Sequence, residues 1–521
     1  MKPLENRFNL IDEAWIPVVD VGLVSLRDVF QSPGYRQLGG NSVEKIAITK
    51  LLLAIAQAAA TPSDEAQWRA LGSTGLVKEC VDYLDRWHDR FYLFGYRPFL
   101  QMPAIDQANQ QPYGAIILGV ATGNTTILGH SQIQREVSDA EKAMALVVQM
   151  SMALGGKKTD NSVTLSLGYS GKKNEKGLPS TAKSGPSIGH MGYLHSFLIG
   201  ESLHETLWIN LLTIQRINQT NMFQGGLGVV PWESMPQGED CLVAKNLRES
   251  LIGRLVPMCR FCLLTDNGLH YSEGLLHPNY KEGVVDPTMS VNNTGKDPKV
   301  LWADPDRRPW RELTSLLSFI DQTDSAGVQN LQIRTGIDRL QDIEGVFAVW
   351  SGGLRVSISV AMDQYTTGRD DFVESVVWLP KTILDYISYQ QLKSEMDALS
   401  DLSKILYGRV CGYLNEMSGA GKNQEEKSQK ATKVREDKVA KARAEKATSL
   451  FWQRCERNFQ SLVQSCHYGE EETQQRIQLR RIFAGNLNSA YDQICAKETA
   501  KQITAWANHR PNLAKYLKKD S

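Results

Sequence analysis

Along residues 43–60, VEKIAITKLLLAIAQAAA, apolar side chains recur with few polar breaks, and the run predicts a helix. A second helix is expected over 75–90, leading into FYLFGYRPFLQM. A third covers 139–154, DAEKAMALVVQMSMAL, with Ser138 or Asp139 as its N-cap. In SVTLSLGYS, Val163, Leu165, Leu167 and Tyr169 alternate with Thr164, Ser166 and Gly168, the two-residue period of a strand. The SGKKNEKG stretch after it reads as a turn or hairpin tip. Residues 201–215 are expected to be helical again, and 250–380 to be short strands and long loops rich in Gly, Pro, Asn and Asp.

The pattern changes near Leu379-Pro380. Leu392, Met396, Leu399, Leu402, Leu406, Val410 and Leu414 step by three or four, as do Phe451, Cys455, Phe459, Leu462 and Cys466. Leu479, Phe483, Leu487, Tyr491 and Ile494 form a third stripe, and Trp506, Leu513 and Leu517 a last one. Each stripe is one apolar face that needs a partner. The fold class is therefore α+β: a mixed N-terminal domain with irregular loops over 1–380, then an all-α four-helix bundle over 381–521.

A chain of 521 residues exceeds one ordinary core, which fits more than one domain. Lys plus Arg and Asp plus Glu both number 58, so any nucleic-acid contact must come from local patches rather than net charge. The eight cysteines are sparse and lie mostly in apolar patterns, as expected of reduced thiols in a cytoplasm. The N-terminus lacks the apolar core of a signal peptide, and no run is long enough to predict a membrane span.

ALGGKKTDN, residues 153–161, invites a phosphate-loop reading. Gly156 and Lys157 fit G-x-x-x-x-G-K-[ST], but Ser151 and Lys158 fail it, so no hydroxyl is placed to hold magnesium. Cys259-Arg-Phe-Cys262 is a C-x-x-C pair without a second pair; the alternatives are a zinc site and two buried thiols, and no cofactor is expected. His190 and His195 read as a capping or packing pair. No catalytic constellation is evident, which favours a binding or scaffold role over an enzyme.

Basic loops are the positive signal. From Gly155 to Gly189 there are six lysines (157, 158, 172, 173, 176, 183) against Asp160 and Glu175. Gly155-Gly156 would let the backbone approach a sugar–phosphate chain, and Lys157, Lys158, Lys172 and Lys173 would supply charge. Two further loops carry Lys281 and Gln364. From Lys422 to Lys446, nine Lys or Arg face five Asp or Glu. That stretch is a solvated helix extension or a basic helix, bearing Lys433, Arg435 and Lys438, that follows a phosphate backbone.

LIDEAWIPV at 10–18 resembles the N-terminal signature of the CasA family, the large subunit of the type I-E CRISPR surveillance complex, Cascade. FYLFGYRPFLQ at 91–101, LGVATGNTT at 118–126, HETLWINLLT at 204–213, LFWQRCERNFQSL at 450–462 and the closing HRPNLAKYLKK are similar to further family stretches in the same order. The resemblance implies a cytoplasmic prokaryotic protein, not membrane-bound and without catalytic activity. It would recognise the short motif (PAM) flanking target double-stranded DNA and start the unwinding that forms the R-loop. Implied partners are the guide RNA 5′ handle, the backbone, small and 5′-handle-binding subunits, and a helicase-nuclease recruited in trans. An architectural RNA-binding adaptor without PAM reading is the alternative.

By the same resemblance, Gly155-Gly156 would be the glycine loop at the PAM, Lys281 the lysine finger, with Lys296 and Lys299 as competitors, and Gln364 the wedge. Ile127, Leu128 and Gly129 would lie in the loop that meets the guide handle, where an aromatic residue common in the family is absent. The lysine-rich stretch 157–187 is longer than in related forms.

Overall fold

The computed structural model describes residues 5–120, 127–129, 136–156, 159–283, 285–293, 295–321, 328–340, 343, 345–356, 371–418 and 429–518; for 119–120, 127–129 and 429–437 it describes the backbone alone. The chain divides into two compact units: Met1–Phe319 with Ala326–Val377, and Ile320–Ser325 with Trp378–Ser521. Mixed α and β structure fills the first, and the C-terminal region is helical.

Helix Ser42–Ala60 runs through the core of the mixed unit. Asn41 caps it by accepting from the Val43 and Glu44 amides, and Glu44 returns a bond to the Asn41 amide. Ile46, Leu51, Leu53 and Ile55 point to different sides of this helix, and all are buried, as an unbroken apolar run demands. Helix Asp139–Ser151 starts at Ser138, which forms a capping box with Glu141. The second expected helix lies in Glu65–Arg86, a span broken at Gly72 (φ +64°), so the helix after the break starts close to the expected position and stops at Arg86. The 201–215 segment is two helices, Leu203–Asn210 and Ile214–Gln219.

Strands are short. Gln110–Gln111, Leu269–Glu273 and Arg260–Leu264 form one three-stranded sheet, and Lys299–Val300, Val291–Asn292 and Val328–Gln329 another. In a third, Phe347–Leu354 runs antiparallel to His195–Ile199, with Gly352 opposite His195. The expected strand at 163–169 is not one. The segment is irregular; Leu167 is fully exposed, and the Leu165 and Ser166 amides donate to the buried Glu239 carboxylate. The alternation there reflects a turn pinned by one carboxylate, not a pleated ladder. The following stretch does form a hairpin tip, with Lys173 bridged to Pro179.

The stretches that carried the family resemblance are largely packing. Leu10, Ile11 and Ile16 are buried, and Trp15 Nε1 donates to the Leu10 carbonyl at 3.0 Å. Gln101 clamps two segments: its amide donates to Leu93 O at 2.6 Å and its oxygen accepts from the Leu264 amide at 2.8 Å. Trp208 stacks on Trp68 with centroids 4.3 Å apart, and each indole N–H donates to the other's backbone carbonyl.

In the second unit, helices Tyr386–Ser418, Gln429–Ser465 and Glu470–Ile494 are long, and Ala500–Asn508 and Ala514–Leu517 are short. Leu399, Leu406, Phe451, Phe459, Phe483 and Leu487 from the expected stripes are buried. Among the described residues, no single helix is long and apolar enough to cross a membrane.

Candidate nucleic-acid interface

The glycine segment is a built structure. Helix Asp139–Ser151 stops at Met152, and the chain leaves through buried Ala153 to Gly155 and Gly156. From there it runs beside residues 182–187. Gly156 N–H donates to Ala182 O at 3.0 Å, Gly185 N–H to Ala153 O at 2.7 Å, and Ser187 N–H to Ser151 O at 3.1 Å. A Cβ at Gly185 would lie 2.4 Å from the Ser151 carbonyl oxygen, so this close approach needs glycine. Gly156 is half-buried, with φ +117° and open space where a Cβ would stand.

Arg260 staples both sides. Its guanidinium is buried and donates to Leu154 O at 3.0 Å, Lys183 O at 2.5 Å and Cys259 O at 2.9 Å. Its Nε donates to the Tyr271 hydroxyl, which donates to Gln149 Oε1 on the preceding helix. Glu273, also buried, accepts from the Lys183 amide and from Asn161 Nδ2. Backbone groups outside regular ladders are thus satisfied by buried charged side chains, where leaving them unpaired would be costly.

Lys172 does not face a phosphate backbone. It is 0% exposed and pairs with the equally buried Glu239 at 2.7 Å, while also donating to Val163 O and Ser272 Oγ. Burial pushes the Glu239 carboxyl up, but the Lys172 hydrogen bond and charge outweigh it and hold it below the usual range. Lys172 anchors the lysine-rich stretch from inside. Lys173, Lys176 and Lys183 are exposed, while Lys157 and Lys158 lie outside the described residues.

Lys281 sits exposed on the turn Tyr280–Glu282, capped by Asn279 and closed by Gly283 at φ +86°. Lys296 and Lys299 are also exposed. The Lys281 turn and the glycine segment are tied together by a buried knot. Lys50 Nζ, from the long core helix, donates to Ser187 Oγ and to Asp286 Oδ2, both at 2.5 Å. Ser187 Oγ also donates to Asp286 at 2.9 Å. His195 completes the knot, with Nε2 against Ser187 O and Nδ1 against Thr288 Oγ1. Burial opposes ionisation of Asp286, but Lys50 prevails and holds it well below the usual carboxylate range. Ser187 ends the glycine ladder and Asp286 follows the lysine turn, so one buried lysine sets the relation between two candidate contacts. An aromatic cluster packs against the Lys281 turn: Tyr193 stacks on Trp302 at 4.8 Å and meets Tyr280 edge-on at 6.1 Å. His190 lies edge-on to Trp302 rather than beside His195.

Gln364 lies outside the described residues. Ile127–Gly129 pairs antiparallel with Leu118–Val120, Ile127 opposite Val120. Lys433 and Arg435 lie on helix Gln429–Ser465, where their side chains are not described, and Lys438 on the same helix is exposed. Cys259 and Cys262 are both buried on strand Arg260–Leu264 or at its edge. An odd spacing along extended chain turns their side chains to opposite faces, a poor arrangement for one tetrahedral ion. Among the described residues, no three His, Cys, Asp or Glu side chains gather as a metal site.

Sequence reasoning missed Lys50, Arg260, Glu273 and Glu239. Two left a trace: Lys50 is the lone charge in AITKLLLAIA, and Arg260 interrupts an apolar strand. A charge inside an apolar period is either a register error or a buried, partnered group. Glu239 sits in a polar loop and gives no such signal.

Fold and site together define a two-unit α and β protein in which buried charges fix lysine-bearing loops. The chain belongs to the family of CRISPR-associated protein Cse1, whose model matches residues 9–488. A CRISPR-associated protein CasA/Cse1 of Thermus thermophilus is 32% identical over 167 residues; the match covers 29% of this chain and 32% of that protein. The structure of Thermobifida fusca Cse1 superposes with a TM-score of 0.74 at 18% identity, over 100% of this chain and 99% of that one. A chain of a CRISPR RNA-guided surveillance complex superposes with a TM-score of 0.66 at 15% identity, over 98% and 99%.

Proposed function

We propose that this chain is the large subunit of an RNA-guided CRISPR surveillance complex, and that it reads the motif flanking target double-stranded DNA and starts duplex unwinding. The observation that carries this reading is the knot of Lys50, Ser187 and Asp286, which holds the glycine segment and the Lys281 turn in one fixed relation. Gly156 would bring bare backbone to the sugar–phosphate chain, and Lys281 would enter the minor groove. Readout there separates A·T from G·C and tolerates related motifs. Opening the first base step costs a few kcal/mol of unstacking, about what one inserted side chain helps offset, and Gln364 is the proposed wedge. Lys173, Lys176 and Lys183, with Lys157 and Lys158, would supply phosphate contacts, while Lys172 holds the loop that presents them.

The segment Ile127–Gly129 would meet the guide RNA 5′ handle. The helical unit is read as a four-helix bundle with a short fourth member, Lys433, Arg435 and Lys438 facing the displaced strand. The other subunits of the complex and a helicase-nuclease acting in trans are the proposed protein partners, and no catalysis is assigned to this chain. The test is target binding and strand opening by the assembled complex with Gln364→Ala and Lys281→Ala. Loss of opening in the first and of motif discrimination in the second is expected. Unchanged values in both would leave an architectural adaptor without motif reading.

A further inference from the structure

Next to Lys281 the mixed unit opens into a cavity of about 360 Å³. That volume lies in the ~300–1,000 Å³ range of small-molecule sites. Its floor is apolar, built from Met289 and Val291 of a buried cluster that also packs Val285 and Tyr280. Met222 and Leu331 add apolar wall. The amides of Gln219, Asn293 and Gln329 stand at its exposed rim. Three cations line it. Arg216 is committed to Asp338 at 2.5 Å, whereas Lys281 and Arg334 are exposed and have no carboxylate partner among the described residues. The single carboxylate in the lining, Asp286, is already satisfied by Lys50, Ser187 and Thr288. Such a lining suits a ligand that is flat and half-apolar at one end, with hydrogen-bonding edges and an anionic tail. An inorganic anion would leave the floor unused, and an apolar metabolite would leave both cations unused.

We propose that this cavity takes one unstacked nucleotide of a nucleic-acid strand, its base over Tyr280, Met289 and Val291 and its phosphate at Lys281 and Arg334. The inference rests on the proposed nucleic-acid role of this face, and it gives an opened strand a place to put a base. Proteins that act on single strands commonly combine a cationic track with a surface for stacking.

The test is photo-cross-linking of the full chain to short single strands carrying one 4-thiothymidine in DNA or one 4-thiouridine in RNA, with the modified peptides mapped. Cross-links in the peptides holding Met222, Tyr280 or Met289 are expected. They should fall at least fivefold in Met222→Trp, which fills the mouth, and in Arg334→Ala, which removes an exposed cation together with its contact at 5.9 Å to the Phe319 ring; thermal melting confirms that both variants fold. The stronger arm identifies the source strand. Cross-links absent from these peptides, or undiminished in both variants, overturn the proposal. So does full suppression by excess inorganic phosphate, which would mark a bare anion site. If cross-links persist while Lys281→Ala leaves motif discrimination by the complex intact, the pocket stands and the proposed function loses its lysine.

Discussion

The two units solve the same problem, satisfying buried polar backbone, in opposite ways. Long helices satisfy their own amides and carbonyls internally, so the second unit can be held by apolar stripes such as Leu399, Leu406, Phe483 and Leu487. Among the described residues it also carries a buried ion pair, Arg480 with Glu395, between two of those helices, and a buried Arg476 that donates to the Ser465 and His467 carbonyls. The mixed unit has strands of two to eight residues and long connections, which leave carbonyls at Leu154, Val163 and Lys183 without ladder partners. Buried Arg260 and Lys172 donate to these carbonyls, and the buried Glu273 and Glu239 carboxylates accept from the amides of Lys183, Leu165 and Ser166. Irregular backbone thus comes with buried charge, widely in the mixed unit and in the helical unit where a helix ends, and regular backbone with a mainly apolar interior.

Removing one partner from each kind of interior separates them most sharply. Lys50→Ala strips Asp286 of its counter-charge and takes one donor from Ser187 Oγ, and breaking a buried pair in this way costs about 3–5 kcal/mol. Leu406→Ala in the helical unit leaves a cavity and costs about 2–5 kcal/mol. The totals overlap, so the discriminating measurement is a second substitution. Asp286→Asn added to Lys50→Met should recover part of the loss, because it removes the orphaned charge. No polar change near Leu406 should do the same. Urea unfolding of the full chain, followed separately by probes in each unit, checks both. Absence of recovery in the double variant would show that the knot is held by shape rather than charge.

A smaller effect distinguishes the units by pH. Burial lowers the imidazole pKa of His195 below its ordinary 6.5, with Asp286 and Lys50 acting on it in opposite senses. Burial lowers His277 further, and Arg254, Arg248 and Lys50 add to the effect. Both are therefore neutral in the folded mixed unit at neutral pH. A group with a depressed folded pKa contributes stability above its unfolded pKa and loses it as pH falls toward the folded value. The mixed unit should weaken as pH drops below about 6.5, before the carboxylates titrate. His195→Gln should flatten that slope, as measured by melting temperature against pH. An unchanged slope would assign the loss elsewhere.

These contrasts also say what could be read in the sequence. The core helix Ser42–Ala60, the capped start at Ser138 and the stripes of the last third were legible because a helix repeats every 3.6 residues and repeats its evidence with each turn. The 163–169 segment misled because alternation over seven residues also arises in a turn whose amides converge on one carboxylate. Gly155-Gly156 and Lys281 were found as polar loops. What joins them, Lys50 to Ser187 and Asp286, spans separations of 137 and 236 residues, and no local pattern encodes a contact that distant. The sequence assigns Lys172 and Lys173 the same phosphate-facing role because charge counts carry no direction.

The neighbouring lysines 172 and 173 give the finest comparison. They have the same chemistry and sit one position apart on the hairpin, yet one side chain is 0% exposed and the other faces solvent. Lys172→Met leaves Glu239 buried without its counter-charge, which costs about 3–5 kcal/mol and loosens the Leu165 and Ser166 amides it gathers. If the chain meets DNA as proposed, the effect on binding should be indirect: weaker affinity with an unchanged salt slope, because buried Lys172 makes no phosphate contact. Lys173→Met should stay within about 0.5 kcal/mol of the parent in stability. If it meets a phosphate, it should lower the dependence of log affinity on log salt by about one unit and weaken all target sequences alike. Binding of the assembled complex to duplex target across a salt series, set beside unfolding curves, reads both quantities. A change of slope in Lys172→Met, or a stability loss in Lys173→Met, would reverse the assignment of which lysine builds the loop and which one it presents.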